Sequence, residues 1–127
     1  MGIANRLFMI EIMETVSPQT VAVSARGTVT IEEFQKVSPL ILGKVAAFGK
    51  VPMILSLKDI NVSASKDAWA GIRKQLQGQM EHFSRLAIVV DSLKFKLMVN
   101  MAKPFIPIEV KIFDEGEEQD ALKWVLG

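Results

Sequence analysis

The stretch at residues 79–91, QMEHFSRLAIVVD, decides the fold. Its first half closes an amphipathic helix. Its second half, LAIVV at residues 86–90, is an unbroken apolar run ended by Asp91. A short, branched apolar run of this kind suits a strand covered on both faces, and such strands belong to parallel sheets. Working back from it, Trp69, Ile72, Leu76, Met80 and Phe83 recur at spacings of 3, 4, 4 and 3, a helix stripe capped by Ser65 with Asp67 in its first turn. Residues 51–57, VPMILSL, form another buried strand before that helix.

The same grammar extends to both ends. Residues 7–14 (LFMIEIME) and 20–26 (TVAVSAR) read as two strands of an antiparallel hairpin closed at Ser17-Pro18 and ended by Gly27. Thr30 caps a helix with Glu32 and Glu33 in its first turn, where acids suit the helix dipole. Phe34, Val37, Ile41, Val45 and Phe48 form its stripe, Gly49 ends it, and Pro39 is expected to kink or split it. Ser92 caps a third helix over residues 93–103, stopped by Pro104. Residues 108–113 form a last strand, with Ile108, Val110 and Ile112 on one side, and residues 117–126 a closing helix. The order β-β-α-β-α-β-α-β-α predicts one α/β domain with a mostly parallel central sheet and an antiparallel start.

Composition narrows the function. The 127 residues suit a single domain with its own core. There are no cysteines, which excludes thiol nucleophiles and thiolate metal sites. The net charge of +1 lacks the clustered basic excess of a nucleic-acid binder. No apolar stretch reaches the roughly 20 residues that span a bilayer. The apolar residues at 7–13 are broken by Glu11, and no cleavage site follows them. The expectation is a soluble cytoplasmic protein.

No catalytic or metal-binding set is readable, and no cofactor is expected. His82 is the single histidine, without a second one at ligand spacing. The glycines form neither GxGxxG nor GxxxxGK. Two places remain. One is polar: Asp59, Ser63, Ser65 and Asp91 fall on loops at the carboxyl edge of the two buried strands, where open α/β sheets bind ligands. The other is apolar: Leu93, Phe95, Leu97, Met98, Val99, Met101 and Ala102 cover about two-thirds of the third helix. A helix seated on a sheet needs a narrower stripe, so the excess must be covered. Leu93, Phe95, Leu97, Met98, Met101 and Phe105 are therefore the expected ligand or partner contacts.

Several residues together resemble the SpoIIAA-like family of small bacterial proteins. They are the hairpin ending in Gly27, Glu32-Glu33-Phe34 opening a helix, Gly49-Lys50 before a strand, Trp69, His82-Phe83, residues 85–91 (RLAIVVD), Phe105, Phe113 and residues 120–125 (DALKWV). The resemblance implies a fold akin to the STAS domains of anti-sigma-factor antagonists and similar to lipid-binding CRAL-TRIO domains. It does not extend to the antagonists' phosphorylated Asp-Ser-Ser-Gly motif. Residues 58–66 (KDINVSASK) keep serines at 63 and 65 but lack that motif. The leading expectation is a non-enzymatic binding or regulatory module acting through protein contacts, with a regulatory protein partner and a homo-oligomer, a dimer, as its state. The alternative is a carrier or sensor of a lipid-like apolar molecule held under residues 93–106. An enzyme using Asp59, Ser63, Asp91 or His82 is the weakest reading, because no nucleophile, base and orienting group stand together.

Overall fold

A computed structural model describes residues 9–13, 17–27, 30–59, 70, 71, 74 and 80–127. Five strands form one sheet: β1 (Met9–Met13), β2 (Val21–Arg26), β3 (Val51–Lys58), β4 (Phe83–Val90) and β5 (Glu109–Phe113). They lie in sequence order. β1 runs antiparallel to β2, pairing Met9 with Arg26 and Met13 with Ala22. The residues that join these two strands at 14–16 lie outside the described ones. Strands β2 to β5 are all parallel.

Parallel neighbours in sequence order require every crossover to step the same way. Right-handed crossovers then put their helices on one face of the sheet. Two of them are helices α1 (Ile31–Phe48) and α2 (Leu93–Ala102). Between β3 and β4, residues 70, 71 and 74 are helical and the rest of the expected helix lies outside the described residues, Trp69 included. The last helix, α3 (Glu118–Leu126), follows β5 and covers the opposite face.

The two-residue period of the strands divides the core accordingly. Val21, Val23, Met53, Leu57, Leu86, Ile88 and Val90 point at α1 and α2. Ala22, Ile54, Ala87 and Val89 point at Ala121 and Val125 of α3. Phe83 and Leu86 share the first face although two residues, not one, lie between them. A bulge makes this possible: Val51 pairs with Phe83 but Met53 with Leu86, so Ser84 and Arg85 together oppose Pro52. Proline has no N–H for the ladder, and within a sheet it is confined to such places.

Two sequence expectations are corrected here, and of the two outcomes expected at Pro39 one is excluded. Pro39 does not split α1, which stays one 18-residue helix. Pro39 is exposed, as is Gln35 one turn before it, so the carbonyl that loses its intrahelical donor faces water. Phe83 does not close a helix: a 3₁₀ turn at Met80–His82 leads into the sheet, and Phe83 is the buried first residue of β4. Phe48 is 47% exposed rather than part of the core stripe, because α1 ends there beyond the edge of its sheet contact. The caps follow the sequence. Thr30 Oγ1 accepts from the Glu33 N–H at 3.2 Å, and Gly49 takes φ +79° to close the helix on the Val45 carbonyl.

Candidate functional site

The α2 segment begins at Asp91, the first residue past β4. Ser92 turns the chain into the helix, its Oγ accepting from the Phe95 N–H at 3.3 Å. Phe95 and Val99, one turn apart, are buried against the sheet. At about 100° per residue their mean direction is opposite that of Leu93, Leu97 and Met101. Those three form a stripe at i, i+4 and i+8, and they are 73%, 57% and 77% exposed. The helix therefore carries two apolar stripes, and only one is used by the fold.

Lysines flank the free stripe. Lys94 is exposed and Lys103 half-buried. Lys96 is held by Asp114, which follows β5, and this ion pair ties α2 to the loop before α3. No acid occurs from residue 92 to residue 108. A 3₁₀ turn at Lys103–Phe105 carries the chain past Pro104 toward β5.

Of the six expected contacts, Leu93, Leu97 and Met101 lie on the solvent side. Phe95 is a correction: it is 6% exposed and belongs to the core, where its ring seats α2. The side chains of Met98 and Phe105 lie outside the described residues.

The described part of the polar edge carries ion pairs. Asp59 and Asp91 are both exposed past the ends of β3 and β4. Asp59 takes φ +49°, a left-handed conformation that Asp tolerates better than most residues. Lys58 Nζ meets Glu115 Oε1 at 3.1 Å, so a side chain from β3 reaches the loop after β5 across the end of β4. Crevices form where the strand order reverses. Along β2 to β5 the order never reverses, and the edge carries ion pairs instead. Ser63 and Ser65 lie outside the described residues.

His82 sits at the amino end of β4 and Asp91 past its carboxyl end. An eight-residue strand separates them by about 25–30 Å. The two cannot act together at one reacting centre. Among the described residues, no three His, Asp or Glu side chains are placed to hold a metal ion. No helix among them is long and apolar enough to cross a membrane.

Sequence reading missed two features. The outward face of α1 exposes Leu40 and Leu42, and the charge-poor run from 39 to 49 was the available signal. Arg85, freed by the bulge, reaches α3. Its Nη1 donates to the Trp124 carbonyl at 2.7 Å and its guanidinium lies 5.1 Å from the centre of the Trp124 ring.

Comparison with known proteins gives a family and a fold. The sequence model of a family described as SpoIIAA-like matches residues 20–126. The chain is similar to an uncharacterised protein of the DUF3478 family with a SpoIIAA-like fold from Shewanella loihica PV-4, whose crystal structure aligns with a TM-score of 0.69 at 26% identity, over 98% of this chain and 99% of that one. No curated protein matches.

Proposed function

The chain belongs to the SpoIIAA-like family, and from that premise we propose that it is a non-enzymatic binding or regulatory module of the cytoplasm that works through protein contacts. The observation that carries this reading is the free stripe of Leu93, Leu97 and Met101 on a helix whose other side is already seated. Covering each of these side chains is worth about 1.5–3 kcal/mol before the costs of association. Partner surfaces that bury a compact apolar centre within a polar rim have this composition. The lysines set the chemistry of the rim, which fits an acidic regulatory protein.

The test is a comparison of partner capture. Wild-type protein is crosslinked in a lysate of its source organism, the captured protein is identified, and the complex is rebuilt from purified components. A Leu97→Asp, Met101→Asp variant is expected to lose that complex while keeping its fold. Equal retention by the variant would sink the reading.

The runner-up is a carrier or sensor of a lipid-like molecule under residues 93–106. The same stripe and the fold's similarity to CRAL-TRIO domains support it. It requires the segment to lift, since Phe95 and Val99 fill the space between α2 and the sheet. Retention of an apolar ligand by the wild type and its loss from Leu97→Asp would favour it over the interaction module.

A further inference from the structure

Strand β5 ends the sheet, and among the described residues no strand pairs with its outer side. An edge strand leaves a row of backbone N–H and C=O groups unpaired, which is a template for another strand. The side chains of β5 divide between the two faces. Glu109 and Lys111 fall on the α3 side, in register with Arg85 and Ala87, and both are exposed. Val110 and Ile112 fall on the side of α1 and α2, as does Ile108 just before the strand, and the two isoleucines are half-buried. Neither Glu109 nor Lys111 is in an ion pair among the described residues. Arg85, the neighbour of Glu109 on β4, is turned to Trp124. Lys111 Nζ lies 5.2 Å from the centre of the Phe113 ring.

We propose that β5 pairs with β5 of a second copy of the chain, antiparallel about Val110, so that the two sheets become one. Charge selects both the occupant and the register. A two-fold axis normal to the sheet carries each face into itself. Residues that stand opposite each other then share a face, and the register shifts only in steps of two residues. Centred on Val110, the pair sets Glu109 of each copy opposite Lys111 of the other, and opposite charges so placed stabilise a sheet. Centred on Glu109 or on Lys111, it would set that residue against its own image, and like charges directly opposite are destabilising. On the other face the same register sets Ile108 of each copy opposite Ile112 of the other, so each half-buried side chain gains an apolar neighbour. The ends of the strand agree in sign. Lys103 precedes β5, and Asp114 and Glu115 follow it. An antiparallel pair brings the basic end of each copy to the acidic end of the other. A lysine on a short edge strand ordinarily discourages pairing. Here each lysine meets an acid in the image of its own strand. Main-chain hydrogen bonds supply the affinity of such strand addition, and the side chains supply its selectivity. The contact does not use Leu93, Leu97 or Met101, which stay open to an unlike partner.

Sedimentation velocity over a wide concentration range tests this with wild type, Glu109→Lys, Lys111→Glu and an equimolar mixture of the two variants. Both positions are exposed, so circular dichroism should not change. Wild type is expected to form a reversible dimer. Each variant alone sets like charges opposite each other and should associate at least about tenfold more weakly. The mixture sets opposite charges across the pair again and should recover the association of wild type. A wild type that stays monomeric throughout overturns the proposal. So do variants that associate alone as well as wild type does, or a mixture that associates no better than its components. Leu97→Asp should leave the dimer intact, and its loss in that variant would also overturn the proposal. None of these outcomes bears on the capture of an unlike partner by α2.

Discussion

At the scale of single residues, the buried polar groups give the sharpest tests. Thr20 is fully buried at the start of β2, and its Oγ1 has no hydrogen-bond partner among the described residues. Its backbone is satisfied separately, the N–H by Ser17 and the carbonyl by Lys44. An unpaired hydroxyl in an apolar site costs more than the methyl that could replace it. Thr20→Val is therefore expected to raise stability by about 1 kcal/mol in chemical denaturation. A loss of stability would show that the hydroxyl is paired after all. Arg85 is the opposite case, a charge engaged by both a carbonyl and a ring. Arg85→Ala should cost about 1–2 kcal/mol, because the Trp124 carbonyl and the ring face lose their partner together. An unchanged unfolding midpoint would remove Arg85 from the account of how α3 is held. His82, Asp59 and Asp91 take no part in these predictions, since the length of β4 separates the histidine from the acids.

At the scale of elements, α2 shows where sequence legibility stops. Its excess of apolar residues was readable, but its inward side was not. Phe95 and Val99 make as good a stripe as Leu93, Leu97 and Met101, and no charge on the helix breaks the tie decisively. The sheet breaks it, by the position at which β4 delivers the chain to Ser92. The asymmetry is testable by paired truncation. Phe95→Ala should cost about 3–5 kcal/mol, and Leu97→Ala should stay within about 0.5 kcal/mol of wild type. Comparable costs at both positions would mean that the outer stripe is covered within the chain. The boundary at Phe83 was hidden for a related reason. Its spacing from Met80 fits a helix, and only the bulge opposite Pro52 lets it share a sheet face with Leu86. Helix starts were plain, because Thr30 and Ser92 carry their caps in their own side chains.

At the scale of the whole molecule, the parallel core followed from alternating periodicities, and the distribution of free surface did not. One-way crossovers load α1 and α2 onto one face and leave the other to α3. Which parts of the crowded face remain bare depends on how far each helix overhangs the sheet, a quantity no local pattern encodes. The polar edge was proposed from the general habit of α/β sheets. The order of β2 to β5 has no reversal, the place where that habit puts its crevices, and Ser63 and Ser65 lie outside the described residues. What remains is a family member with two unlike apolar faces, one neutral and one basic. The central claim is that the basic face meets protein rather than covering a ligand. Native mass spectrometry of freshly purified protein, before and after organic extraction, tests it most directly. The account predicts whole multiples of the 14.1 kDa chain and nothing to extract. An extractable apolar adduct, lost when Leu97 is replaced by Asp, would contradict it.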